Sequence, residues 1–142
     1  MILDAFALLS DAQAFTATGA STSTIDGGDP SVGATIDDYA GCWYRAVVTT
    51  AFAGATTTTG TVTFALQSDS TTAFTAAVTH ISSAALAQST AVAGYVLQSR
   101  IPVGVKRYIR AYITCSTTVA TGTVDQYIVK DPDINSLMIL KG

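Results

Sequence analysis

From Lys106 to Cys115 the side chains alternate in character. Ile109, Ala111, Ile113 and Cys115 fall on one parity with Arg107, while Tyr108, Arg110, Tyr112 and Thr114 fall on the other. An extended chain points successive side chains to opposite faces, so this run reads as a half-buried strand. Ile109, Ala111 and Ile113 are placed inward, and Tyr108, Arg110 and Tyr112 form an outward amphipathic strip. Pro102-Val103-Gly104, just ahead of the run, reads as a turn, because proline presets φ and glycine relieves steric strain. Thr123 to Val129 reads as the returning partner strand of a hairpin.

Such a strand needs a sheet, and the composition favours one. The 142 residues contain 23 threonines and no glutamate, and all ten acids are aspartate. Thr and Val favour strands, whereas Glu and Lys favour helix. The length suits one domain with a core of its own. Hydrophobic residues make up 49% and charged residues 12%. So few charges fit either a surface that packs on other proteins or a plainly neutral Ser/Thr/Ala surface.

Along the chain, Ser10 to Ala17 reads as a strand after an N-terminal arm (residues 1–9), continued over Ser21 to Ile25 beyond Gly19; a helix is the alternative. Asp26 to Gly41 is turn chemistry, with no closing Glu for an EF-hand. In the strand from Cys42 to Thr50, Cys42, Tyr44, Ala46 and Val48 share one face and Trp43, Arg45 and Val47 the other. Trp43 beside Arg45 is either an outward interface anchor or, with the parity reversed, a core residue. Thr61 to Gln67 turns Val62, Phe64 and Leu66 inward. Further strands are read at Val78 to Ile81 and Gly94 to Ile101, with a turn from Ser68 to Phe74 ending in an aromatic plug. Thr59-Gly60-Thr61-Val62 and Thr121-Gly122-Thr123-Val124 echo each other and suggest two hairpins of similar construction. After Val129, Asp131-Pro132-Asp133 breaks the last strand, and the tail (residues 132–142) carries apolar Leu137 and Ile139 that pack back or dock on a neighbour. The sum is a two-sheet β-sandwich of about seven or eight antiparallel strands over residues 1–131, jelly-roll-like or immunoglobulin-like.

Catalytic motifs are missing from the sequence. There is no Gly-x-Ser-x-Gly elbow, no P-loop and no His/Cys ligand cluster. The single histidine, His80, lies in a short strand and reads as a hydrogen-bonded structural residue. A hydrolase would have to combine it with Asp37 or Asp38. No cofactor or metal is expected. The two cysteines, Cys42 and Cys115, are too sparse for a metal motif and are expected as buried free thiols, with a disulfide as the alternative if their strands pack side by side. The N-terminus lacks the basic region of a secretory signal, and no run is apolar enough to span a bilayer. A net charge of −3 argues against direct nucleic-acid binding. Arg100, Lys106, Arg107 and Arg110, four of the seven Lys and Arg, form a local basic cluster with Tyr108 and Tyr112 interleaved. That cluster suits an acidic protein surface. Charge reversal at Arg107 or Arg110 is expected to weaken such binding without unfolding the domain.

Several segments, in order, resemble a known family. They are M-I-L-D (Met1 to Asp4), S-D-A-Q-A-F-T-A-T (Ser10 to Thr18), A-S-T-S-T-I-D (Ala20 to Asp26), I-P-V-G-V-K-R-Y-I-R (Ile101 to Arg110) and V-K-D (Val129 to Asp131). Together they look like the Bbp16-type capsid cement proteins of tailed bacteriophages. The resemblance implies a jelly-roll-like sandwich on the outside of an HK97-type head, assembled in the bacterial cytoplasm. It implies a homo-oligomer, dimer or trimer, bridging neighbouring copies of the major capsid protein without catalytic residues. The alternative is a surface-displayed sandwich that recognises carbohydrate or a host surface through an aromatic platform at Trp43 or Tyr112. Trp43, Arg45, Arg100, Lys106, Arg107, Tyr108, Arg110, Tyr112, Leu137 and Ile139 are the candidate interface residues.

Overall fold

A computed structural model describes residues 8–27, 41–54 and 60–129. Ten strands run in chain order: β1 (Leu8–Ala14), β2 (Gly19–Ala20), β3 (Ile25–Asp26), β4 (Trp43–Gly54), β5 (Thr61–Asp69), β6 (Val78–Ser82), β7 (Leu86–Ala87), β8 (Val96–Arg100), β9 (Tyr108–Cys115) and β10 (Val119–Val129). No helix occurs among the described residues. One sheet has the order β1-β10-β4-β8, and the other has β2-β9-β5-β6, with β3 also on β9 and β7 also on β5. Every pairing is antiparallel. β2 and β3 border the same strand, as do β6 and β7, so the ten act as eight. Their order is then 1-8-3-6 and 2-7-4-5, the strand order of a jelly roll.

The inner faces follow the period-two pattern. Tyr44, Ala46 and Val48 from β4 meet Val62, Phe64 and Leu66 from β5 and Ile109, Ala111 and Ile113 from β9 in one core cluster. Phe52 of β4 sets its ring edge-on to Phe64 of β5 at 6.2 Å, and Tyr95 stacks on the same ring at 6.3 Å, so aromatic contacts tie the layers together. β1 begins at Leu8, inside the span read as an N-terminal arm. The strand reading of this stretch holds over the helical one, but Ser21 to Ile25 does not continue β1. It crosses to the other sheet, where β2 and β3 pair with β9.

The expected hairpins do not form. β9 pairs with β5, β2 and β3, whereas β10 pairs with β1 and β4. Ser116 to Thr118 therefore carries the chain from one sheet to the other, and β4 and β5 likewise lie in different sheets. The echoed glycines have a different role. A Cβ on Gly60 would lie 2.3 Å from the side chains of Gln88 and Thr117, and one on Gly122 would lie 2.5 Å from the Phe52 ring. At both positions a side chain packs directly on the backbone. The turn at Pro102-Val103-Gly104 is observed, with Gly104 at φ 93°. The segment after Ser82, weakly patterned in sequence, contains the two-residue β7 followed by turns.

A polar chain runs through the core of the first sheet. The Tyr44 hydroxyl donates to Gln126 Oε1 at 2.6 Å, Gln126 Nε2 donates to Ser10 Oγ at 3.1 Å, and the Ser10 hydroxyl donates to the Val124 carbonyl at 3.2 Å. Burial pushes the Tyr44 phenol far above its usual range, so it acts only as a neutral donor. Tyr44→Phe should leave Gln126 Oε1 without its donor and lower stability by about 2 kcal/mol. Urea unfolding checks this, and an unchanged midpoint would show that the bond adds nothing. Gly122→Ala should cost about 1–3 kcal/mol because the Phe52 ring must move. Phe52→Leu in the same chain should make that glycine substitution less costly, a coupling that a double-mutant cycle measures.

Candidate functional site

The alternation that buries Ile109, Ala111 and Ile113 sends Tyr108, Arg110 and Tyr112 to the outer face of the second sheet, all half-buried. Arg110 lies opposite Gln67 of β5, and its Nε donates to Gln67 Oε1 at 2.9 Å. Its guanidinium carbon sits 4.3 Å from the centre of the Phe74 ring and 4.9 Å from that of Tyr112. Gln67 Nε2 in turn reaches Thr79 Oγ1 at 3.4 Å. The result is a planar cation held against two rings with one edge bound.

Phe74 is placed by the loop that follows β5. The Asp69 carboxylate accepts from the Ser70 amide at 2.6 Å and from the Ala76 amide at 2.8 Å, closing the loop on itself. Phe74 takes a positive φ of 51° within that loop. Sequence reading found the turn and the ring but not the cation beneath it. Asp69-Ser70 at a strand end is an Asx-turn signal that pointed to the loop closure.

The other cations are arranged differently. Arg107 makes a bidentate pair with Asp26, Nε to Oδ1 at 2.9 Å and Nη2 to Oδ2 at 3.0 Å, and lies 5.0 Å from the Tyr108 ring centre. Charge reversal at Arg107 would therefore set two carboxylates together, whereas reversal at Arg110 disturbs no ion pair among the described residues. Arg100 belongs to the first sheet, where its guanidinium lies 5.9 Å from the Trp43 ring centre and its Nε donates to the Gly41 carbonyl at 3.2 Å. Lys106 is half-buried, and its amide donates to Ser68 Oγ at 2.9 Å. The cluster that is contiguous in sequence is thus split between two faces.

On the outer face of the first sheet stand Trp43 and Arg45, half-buried, opposite the buried side of β4. Of the two placements weighed for Trp43, the outward one is observed. Arg45 faces Gln98 on one side and Tyr127 on the other, with its Nε buried and without a hydrogen-bond partner among the described residues. Burial raises the Tyr127 phenol, and the Arg45 charge partly opposes that rise. As sugar platforms, Trp43 and Tyr112 each already have an arginine against the ring. Leu137 and Ile139 lie outside the described residues, as do Asp37 and Asp38.

His80 Nε2 and Ser68 Oγ are hydrogen-bonded at 2.6 Å. Burial, with the Lys106 charge second, holds its imidazole below the usual histidine range. Cys115 is a free, half-buried thiol, raised by burial, and no disulfide joins it to the buried Cys42. Among the described residues no group of three or more His, Cys, Asp or Glu could hold a metal. Nor is any helix there long and apolar enough to cross a membrane.

The sequence model of the Bbp16 family matches residues 9–128, which covers every strand but the ends of β1 and β10. The chain belongs to the Bbp16 family. No curated protein matches it. The matched span includes all of the core cluster and the three arginines that lie against rings, Arg100, Arg107 and Arg110.

The loop closure makes a pH prediction. Hydrogen bonding, chiefly from the Ala76 amide, holds the Asp69 carboxyl below the usual carboxylate range. A lowered folded-state pKa means a contribution fully present above the unfolded value, about 4, and lost as pH falls through the folded value. The stability advantage of the wild type over Asp69→Asn should therefore be largest near neutral pH and shrink below about pH 4. Thermal unfolding of both proteins across that range checks it, and a difference independent of pH would refute it.

Proposed function

We propose that the protein is a capsid cement protein of a tailed bacteriophage, binding the outside of the head and bridging neighbouring major capsid subunits. The observation that carries the reading is membership of the Bbp16 family across residues 9–128, the span in which the ordered cement-like segments from Ser10 and from Ile101 also fall. The geometry supports it. Cations on both outer faces lie against rings, and Thr49 and Thr123 satisfy each other by a hydroxyl pair at 2.6 Å. A face built this way has few strongly hydrated charges to strip when it packs against another protein.

Cementing follows from linkage. A protein that binds the assembled shell but not separate subunits stabilises the assembly by mass action. Two footprints per molecule, or an oligomer, raise the effective concentration of the second contact, so each contact can be modest. The partner is the major capsid protein, the working form is a homo-oligomer, and the site is the virion exterior. The carbohydrate-binding alternative gains nothing from rings already covered by arginines.

Purified protein should sediment with head shells and remain in the supernatant with unassembled capsid subunits. Shells carrying it should release their contents at a higher temperature than bare ones. Equal release temperatures, or binding to neither form, would overturn the proposal.

A further inference from the structure

We propose that Arg110 is a prebuilt receptor for a carboxylate, and that the surface it meets on the capsid presents an Asp or Glu side chain to it. This rests on the cement reading and names the partner chemistry of one of its contacts.

The cations differ in what they already bind. Arg107 already has a carboxylate, Asp26, gripped by two hydrogen bonds. Arg110 has none among the described residues: its Nε is taken by the neutral Gln67, and its plane lies against Phe74 and Tyr112. Asp69 sits two residues further along β5 than Gln67, but its oxygens accept from the Ser70 and Ala76 amides. The Nη edge of Arg110 therefore keeps donors that no side chain among the described residues accepts. The flanking rings reduce the rotamer freedom of a long side chain that would otherwise be lost on binding. They also shed water from the cation, and a less hydrated guanidinium binds a carboxylate more strongly. A fork held in place, weakly hydrated and without an ion pair among the described residues is complementary to a planar, bidentate anion of one negative charge. The loop that carries Phe74 is closed by Asp69, so the receptor is built before any partner arrives.

The test is sedimentation with head shells, using the wild type and three full-length variants with folding checked by thermal unfolding. Arg110→Gln should bind at least about thirtyfold more weakly, the loss seen when one partner of a buried charge pair is truncated. Arg110→Lys keeps the charge but not the fork and should recover only part of the affinity. Arg107→Gln, which loses an internal pair with Asp26, should weaken binding less than Arg110→Gln does. A decorated-particle reconstruction should place an Asp or Glu carboxylate within hydrogen-bond distance of the Arg110 Nη atoms. Wild-type binding with an unimpaired Arg110→Gln, full rescue by lysine, or solvent at the Nη atoms overturns this inference and leaves the cement reading standing. A wild type that binds no shell overturns both.

Discussion

Register in the first sheet is the constraint on which the two faces depend. β10 is irregular: its pairing with β4 shifts between Val119 and Val124, and β1 pairs with β10 through two further shifts. A one-residue slip would turn Asp125 and Tyr127 into the core and Val124 and Ile128 outward. Two polar contacts oppose that slip. Inside, Tyr44 and Ser10 hold Gln126 from the strands on either side. Outside, the Asp125 carboxylate accepts from the Ala12 amide at 2.6 Å, where β1 bulges and Ala12 takes φ 43°. A buried polar chain is costly if any bond is missing, so it tolerates one register only. Apolar packing alone would permit several.

Given that register, the outer faces are fixed at no further cost. Strand β9 lies between the short β2 and β3 on one side and β5 on the other, so its position is set by neighbours on both edges. Its inward residues fill the core, and its outward residues must then form a strip. What turns the strip into a site is the loop after β5. Asp69 draws Ser70 and Ala76 together, and the ring of Phe74 is carried over Arg110. A backbone feature at one strand end thereby controls a side chain on the next strand. Arg45, by contrast, has a buried Nε with no hydrogen bond among the described residues.

Much of this was legible in the sequence, and the limit has a physical cause. Alternation reports which face of a strand is buried, so the inward sets from Tyr44, Val62 and Ile109 and the outward position of Arg110 were all readable. Alternation says nothing about which strand lies alongside. Nearness in sequence suggested β9 with β10, yet the jelly-roll order alternates sheets and places them in different layers. The link Ser116-Thr117-Thr118 has no Gly, Asn or Asp to make a tight hairpin turn, and that absence was the available clue. The basic cluster misled for the same reason. Arg100 and Arg110 are close along the chain but stand on different sheets, because the turn at Gly104 leads across the sandwich.

The scarcity of charge and the care taken over each charge are two sides of one design. A surface that is to be covered, as the cement proposal requires, cannot carry many solvated ions, since each must be desolvated or matched by its partner. Threonine hydroxyls avoid the difficulty by bonding to one another or to nearby carbonyls, as Thr49 does with Thr123 and Thr121 does with Ala51. A face that is satisfied internally can be buried against almost anything, however, and so recognises nothing in particular. Recognition then has to come from a small number of groups whose geometry is fixed and whose bonding is incomplete. On the second sheet Arg110 meets that description, and the two rings beside it keep it in place without neutralising it.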